Sequence, residues 1–380
     1  MPTGSTRLMP IRPPFSTAPS VEAFAVDATS VQVSIRKRVG PLIVECGPTS
    51  EVINEDAGVA TIRGLDPEQR HGIVVASKVA EDRLNITTRP DIGPVTSRFA
   101  TISDLHLGLP GYGVARTTPD TATPSSLFRA AVAAAHEAQA WGAELLVIKG
   151  DITDKGRHDH WHAAAALLDE VDIPVAVVPG NHDAFAEADQ PPTEAIAELG
   201  LASDEVGVHD LVGVRIITAH THIDAKGRGT LRSSRDHILD AASSVDSPVF
   251  LAIHHNLQRS PLPWFIPAGI SSIEARPFVG QLADLNSNVF ISSGHSHRNR
   301  RHHIGPKRSV LYTEVSATSD YPGVWAGYEV SDTTIRQTVR RIARPDVVEW
   351  TEQTRRMVGG IWPYWTQGRL DDRCVDLTLR

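Results

Sequence analysis

The hydrophobic pattern of this chain changes period once, near residue 98, and that change restricts it to two dissimilar layered bodies in succession. Before the change, short alternating runs follow one another at hairpin-like intervals: VQVSIRK at 31–37, PLIVECG at 41–47, GVATIRGL at 58–65, GIVVASKVA at 72–80 and LNITT at 84–88. Turn residues separate them and no helical period appears, which predicts a small all-β sandwich over 17–96. After the change, near-continuous apolar runs alternate with helical stretches. The strands expected are RFATISD (98–104), ELLVIKGD (144–151), PVAVVPGN (174–181), VRIITAH (214–220), PVFLAIHH (248–255), NVFISSGH (288–295) and SVLYTEVS (309–316). Ser125 or Ser126 can cap a helix over LFRAAVAAAHEAQAW, and helices are expected at Arg157–Leu168 and Leu231–Ser243. Strands apolar along their whole length must be covered on both faces, so the second body, 97–344, is α/β.

Two segments stand outside these bodies. Residues 1–16 are rich in Pro and Ser and read as a flexible lead-in. Residues 345–380 form a C-terminal extension whose Trp350, Trp362, Tyr364 and Trp365 read as packing, in the core or against another subunit.

Composition narrows the chemistry. Cysteine is limited to Cys46 and Cys374, which excludes a disulfide framework and a thiolate metal site and points to a reducing, cytoplasmic setting. The N-terminal stretch lacks an apolar core of the signal-peptide kind, and no run is long and apolar enough to predict a membrane span. A net charge of −8 argues against a protein that coats nucleic acid. Histidine, in contrast, is abundant at 17 residues, and imidazole is both a transition-metal ligand and a proton shuttle.

The distribution of those histidines is what matters. Asp104-Leu-His106, Gly150-Asp151, Gly180-Asn181-His182-Asp183, His254-His255 and Gly294-His295-Ser-His297 each sit just past the C-terminal end of an expected strand. In α/β sheets that is where ligands bind, so pieces distant in sequence converge in space. Carboxylate, imidazole and amide oxygen without thiolate suit Mn, Fe or Zn. Residues two apart on a strand face opposite ways, so Asp104/His106 and His295/His297 are expected in turning backbone. Gly108, Gly150, Gly180 and Gly294 are expected to supply freedom and room there.

These five blocks, in this order, resemble the signature of the calcineurin-like metallophosphoesterase family: D-x-H, G-D, G-N-H-[D/E], H, G-H-x-H. The resemblance covers roughly residues 98–330. It implies a four-layer sandwich of two β-sheets flanked by helices, and two divalent or trivalent metal ions. By the same resemblance, Asp104, His106 and His297 join Asp151 around the first ion. Asn181, His254 and His295 join it around the second. The implied reaction is hydrolysis of a small-molecule phosphoester by a hydroxide shared between the ions. His182, with Asn181, would contact the phosphate and protonate the leaving oxygen, and Asp183 would orient His182.

Other residues keep two readings. Asp154 caps the following helix or supports the site. His255 contacts substrate or packs beside His254. The run Arg298-Asn-Arg300-Arg301-His302-His303 is a solvated face or an anion contact at the cleft rim.

The segment IITAHTHIDAKGRGTLRSSRDHIL resembles the family's cyclic-nucleotide and glycerophosphodiester branch. It departs from that branch at Ala219-His220-Thr221, and again after His255, where Asn256-Leu257 stands in place of Pro-Pro. A phosphodiesterase is expected, with 3′,5′-cyclic nucleotides as candidate substrates. A phosphomonoesterase or nucleotidase, and a metal-binding scaffold, remain as alternatives. ATIRGLDPEQRHGIVVASKV resembles the late strands of a fibronectin type III domain, so the sandwich is expected to hold a protein partner or a second copy of the chain.

Overall fold

The computed structural model describes residues 20–36, 41–55, 57–78, 80–112, 118–260 and 267–380; the segment 1–16 lies outside them. The first strands are β1 (Ser20–Val26), β2 (Ser30–Arg36), β3 (Leu42–Cys46), β4 (Thr49–Ile53), β5 (Ala57–Arg63), β6 (Arg70–Ala76) and β7 (Glu81–Thr87). They form a three-stranded sheet, β1-β2-β5, and a four-stranded sheet, β4-β3-β6-β7. Val33, Ile35 and Ile62 from one sheet meet Leu42, Val44, Ile73 and Val75 from the other in a common apolar core. The alternation of β3, buried at Leu42, Val44 and Cys46 and exposed between, is the pattern of a strand with one face on that core. β1 and β4 were not anticipated, because SVEAFAV and TSEVI carry too little alternation to announce a strand.

The second body begins with β8 (Val95–Ile102). A short ribbon, β9 (Gly111–Tyr112) with β10 (Thr118–Pro119), precedes α1 (Ser126–Ala140). Then come β11 (Leu146–Lys149), α2 (His158–Leu168), β12 (Val175–Val178), α3 (Pro192–Glu198), β13 (Val206–Leu211) and β14 (Val214–Ala219). They are followed by α4 (Arg235–Ser243), β15 (Val249–Ile253), α5 (Ser272–Leu285), β16 (Val289–Ser293), β17 (Arg300–Ile304) and β18 (Val310–Glu314). The body closes with β19 (Val324–Ser331), β20 (Thr334–Arg341), α6 (Pro345–Thr354), α7 (Trp362–Thr366), α8 (Leu370–Arg373) and β21 (Cys374–Thr378).

Two six-stranded sheets result, β12-β11-β8-β19-β20-β21 and β13-β14-β15-β16-β18-β17. Phe99, Phe250, Phe290 and Tyr328 interlock between them, with Phe99 stacked on Tyr328 at 4.6 Å. α1, α2 and α6 cover the outer face of the first sheet, and α4 and α5 that of the second, giving the four layers expected. Every residue of β15 is buried, as its unbroken apolar sequence requires. Ser125 caps α1 by accepting from Phe128 N at 3.2 Å.

Two expectations are corrected. α2 starts at His158 with Arg157 at its cap, so Asp154 caps nothing. α4 starts at Arg235 rather than Leu231. The hairpin β19–β20 was missed for a physical reason: β20 reads TIRQTVRR, yet Arg336, Gln337 and Arg341 are all buried. The two arginines are satisfied largely by the N-terminal sandwich and the C-terminal segment, while Gln337 Oε1 accepts from Thr313 Oγ1 at 2.8 Å and Tyr328 OH at 3.1 Å. Arg341 donates to Ser34 Oγ (2.7 Å), Glu352 Oε1 (2.8 Å) and Pro322 O (3.0 Å), while the Gln32 amide exchanges two bonds with the Arg341 backbone. Arg336 pairs with Asp376 at 2.9 Å and with Asp27 at 3.4 Å. The sandwich is thus docked on β20 through desolvated polar contacts.

β21 pairs with β20 throughout its length, so residues 374–378 complete the first sheet. Cys46 and Cys374 are both buried and unpaired. Among the described residues, no helix is long and apolar enough to cross a membrane.

Candidate metal centre

The convergence read from the sequence is present. Asp104 follows β8, Asp151 follows β11, Asn181 follows β12, His254 follows β15 and His295 follows β16. The turning is done largely by the ligand-type residues themselves: Asp104, His106, Asp151, His295 and His297 have φ between 48° and 64°. Such left-handed backbone is uncommon outside glycine, and Asp and His are among the residues that tolerate it. Of the four glycines, Gly180 and Gly294 have no positive φ and are needed for clearance instead: a Cβ at Gly180 would stand 2.2 Å from Asp151 Oδ1, and one at Gly294 1.9 Å from Ser103 Oγ.

Asp151 is the hinge of the cluster. Its Oδ2 lies 3.8 Å from His106 Nε2 and its Oδ1 lies 3.2 Å from His254 Nε2. His106 Nε2 is in turn 3.3 Å from His297 Nε2, which is 3.4 Å from Asp104 Oδ1. On the other side, His254 Nε2 lies 3.2 Å from Asn181 Oδ1.

The outer ring nitrogens fix the tautomers. His254 Nδ1 donates to Lys149 O at 2.7 Å and His297 Nδ1 donates to Asp320 Oδ1 at 3.0 Å. In their neutral form both rings then present Nε2 lone pairs inward, towards carboxylate and amide oxygens. His295 Nε2 is buried with no hydrogen-bond partner. Lone pairs facing oxygens in a buried space repel unless cations lie between them, so the donor set fits metal ions. Burial pulls the pKa of His254 down, but Asp151 and Asp104 outweigh it and push the group up to about 9, so these carboxylates draw a cation, whether proton or metal ion, to this nitrogen. For His295, burial, reinforced by His254, lowers the pKa to about 3, leaving a neutral ligand-type imidazole.

His182 does not take its support from Asp183. Its Nδ1 donates to Asp154 O at 2.9 Å, with Asp154 Oδ1 at 3.4 Å, and its backbone N donates to Asp151 Oδ1 at 2.8 Å. Burial lowers the pKa of His182, but Asp151 and Asp154 together raise it above the usual imidazole value. Asp183 is fully buried and accepts from Thr153 N (2.7 Å), Thr153 Oγ1 (2.8 Å), Gly180 N (2.8 Å) and Ile152 N (3.2 Å). It clasps the loop carrying Asp151 to the loop carrying Asn181. Its carboxylate is spent on those donors, which is why it cannot orient the neighbouring ring.

The family model described as calcineurin-like phosphoesterase matches residues 97–299, more than half of the chain. The chain belongs to the calcineurin-like phosphoesterase family. A protein of Synechococcus sp. named as a probable cyclic nucleotide phosphodiesterase is 25% identical over 219 residues, covering 54% of this chain and 74% of its own. A purple acid phosphatase from yellow lupin seeds superposes with a TM-score of 0.50 at 12% identity, over 87% of this chain and 73% of its own. A dimetal phosphatase from Danio rerio gives 0.51 at 12% identity, over 65% and 97%. At such identities these two structures show a shared fold.

In this calcineurin-like phosphoesterase the C-terminal extension is built into the centre. Trp362 Nε1 donates to Asp320 Oδ2, whose other oxygen holds His297. Trp365 Nε1 donates to Ser296 O at 2.9 Å, between His295 and His297. Trp350 Nε1 donates to Ser319 O at 2.7 Å, and Ser319 Oγ donates to Asp104 O at 2.6 Å. Trp350, Trp362 and Trp365 pack, as expected, whereas Tyr364 is exposed; the three indole N–H groups also brace the backbone that carries the ligand-type residues. Asp320 lies beyond the end of β18, so the strand-end rule that found the other residues points to it too. Lys149 carried no signal. It is fully buried, its Nζ donates to Ser292 Oγ at 2.8 Å, and burial lowers its pKa to about 7.

A cavity of about 510 Å³ opens onto this phosphoesterase centre, lined by Asp151, Asn181, His182, His295 and His297, and by Lys226, Gly227, Arg228, Pro267 and Ala268. His255 is not part of its wall. The ring is fully buried, edge-on to His254 and tilted against His295, with Thr221 Oγ1 2.8 Å from its Nδ1. The substrate-contact reading for His255 is therefore set aside. Its Nε2, buried without a partner, lies within ligand distance of His254 and His295. The Arg298 run is likewise absent from the cavity wall. Arg298 forks onto buried Glu314 at 2.7 Å and stacks over Trp365, and Arg300 reaches backbone carbonyls, Asn299 O among them at 2.8 Å.

Proposed function

We propose that this protein hydrolyses phosphodiesters at a two-metal centre. Asp104, His106, Asp151 and His297 would hold one ion, and Asp151, Asn181, His254 and His295 the other, with Mn, Fe or Zn as the metals. One observation carries the reading: the two oxygens of Asp151 face opposite halves of the cluster, as a bridging carboxylate must. When bound, such a pair lowers the pKa of water to near neutrality and offsets charge on the phosphoryl oxygens. The protein's own part is positional. Asp183 fixes the Asp151 and Asn181 loops relative to each other. His182, on the cavity wall with Nδ1 committed to Asp154, offers Nε2 as the proton donor to the leaving oxygen.

Preference for a diester is supported by the name of the Synechococcus relative, and cyclic nucleotides are candidates on the same ground. We read residues 17–96 as a fibronectin type III-like unit and 97–344, completed by 345–380, as the phosphoesterase; the β1-β2-β5 and β4-β3-β6-β7 sheets support the first of these. Two buried, unpaired cysteines support a reducing, cytoplasmic setting.

The test is turnover with Mn²⁺ restored on bis-p-nitrophenyl phosphate and p-nitrophenyl phosphate side by side, with Asn181→Ala as control. Faster diester cleavage, lost in the variant, is expected. Faster monoester cleavage would replace the reading by a phosphatase, and no cleavage of either with two metals bound would replace it by a scaffold.

A further inference from the structure

Lys226 and Arg228 line the same cavity as the metal centre, and the chemistry above gives them nothing to do. They lie between β14 and α4, where the sequence departs from its resembled branch. The loop is held at both ends. Ala225, at φ 57°, donates its N–H to Ala184 O at 2.8 Å, two residues beyond His182. Lys226 N closes a turn on Ile223 O at 3.0 Å. On the far side, Thr230 N donates to Thr221 O at 2.9 Å and Thr230 Oγ1 to Glu274 Oε1 at 2.8 Å. Gly229 approaches the buried His255 ring so closely that a Cβ there would stand 2.5 Å from it. The backbone that carries these two exposed cations is therefore held in place at the cavity.

Among the described residues neither has a carboxylate partner, and the nearest in sequence, Asp224, faces His222 at 3.8 Å. A plain diester carries one negative charge, which the metal ions match. It leaves Lys226 and Arg228 unmatched in a cavity whose 510 Å³ is within the size range of sites for whole small molecules, roughly 300–1,000 Å³. We propose that Lys226 and Arg228 form a second anion subsite, and that the substrate is a phosphoester bearing a further phosphate or carboxylate group away from the bond that is cleaved. The proposal rests on the phosphoesterase reading and narrows it: a cyclic nucleotide with its single charge is a poorer match than a nucleotide with two phosphate groups.

The probes are two p-nitrophenyl esters of thymidine 5′-phosphate, one with a free 3′-hydroxyl and one with a 3′-phosphate, each with the Mn²⁺-loaded protein. A kcat/KM ratio of roughly tenfold in favour of the 3′-phosphate is expected from two solvent-exposed ion pairs, and it should shrink with added salt. In Lys226→Ala/Arg228→Ala the ratio should fall towards one, and Lys226→Arg should preserve it. Equal turnover of the two esters by the unmodified protein, or a ratio that survives the double substitution, overturns the subsite. If neither ester is cleaved, calorimetry of thymidine 3′,5′-bisphosphate against thymidine 5′-phosphate decides. Tighter bisphosphate binding that the double substitution abolishes upholds the subsite and removes only the phosphodiesterase reading, whereas equal binding overturns the subsite.

Discussion

His182 is held by Asp154, 28 positions before it, and not by Asp183 beside it: its Nδ1 reaches the Asp154 carbonyl at 2.9 Å while Asp183 faces the opposite way, into the backbone of 152–153 and 180. The two aspartates therefore predict different failures. His182→Ala should lower kcat by about 10²–10⁴-fold with metal content unchanged, as for loss of a general acid. Asp183→Ala should unfasten two ligand loops, so its signature is reduced metal content and a lower melting temperature.

Asp154→Asn leaves the carbonyl contact in place and removes a charge that raises the pKa of His182. A proton donor works below its pKa, so the alkaline limb of the kcat profile should move to lower pH. A profile identical to that of the unmodified protein would show that Asp154 acts through its carbonyl alone.

Asp320→Asn and Trp362→Phe test the link from the C-terminal segment to His297. Loss of such a supporting partner weakens metal affinity by about 10–100-fold, so both should raise the metal dissociation constant. The effect of Trp362→Phe should vanish in the Asp320→Asn background, because the indole acts through that carboxylate.

Acid stability should report on Glu314. Burial alone would raise its pKa, but His302 and Arg298 outweigh burial and hold it at about 2. A carboxyl depressed in the folded state contributes stability above its unfolded value, near 4.5, and loses it as pH falls through about 2. Denaturant midpoints should therefore drop across that window, and Glu314→Gln should flatten the drop. Arg298→Ala removes one of the two groups that offset the burial of Glu314 and should lower stability by up to about 3–5 kcal/mol.

The docking of the sandwich predicts one cooperative unfolding transition for the whole chain. Removing the residues before β8 strands Arg336 and Arg341 without Asp27, Ser34 and Gln32. The shortened protein should lose stability and turnover together, as a structural contact requires. Full activity with only a lost binding partner would instead mark the sandwich as an adaptor.

The strands β11, β12, β14, β15, β16 and β18 were legible because burial on both faces keeps them largely apolar, and the His- and Asp-bearing blocks because each sits at such a strand's end. β20 was not, since its buried residues include Arg336 and Arg341, which are met by Asp27, Ser34 and Gln32 of the N-terminal sandwich. The Asp154 carbonyl that holds His182 and the Trp362 indole behind Asp320 were hidden for a related reason: backbone carbonyls and indole N–H groups leave no signature residue pattern. Asp183 misled because adjacency in sequence suggested a contact that the turn at 180–183 prevents.

The bracing of the ligand loops by Trp350, Trp362 and Trp365 has a consequence for biosynthesis. The sandwich can form early on the ribosome, since its strands are complete by Thr87. The candidate metal centre cannot, because His297 gains its Asp320–Trp362 support only after the ribosome has added residues well past the last His-containing block. A chain stopped near residue 344 would carry every ligand-type side chain yet lack the indole contacts that brace them.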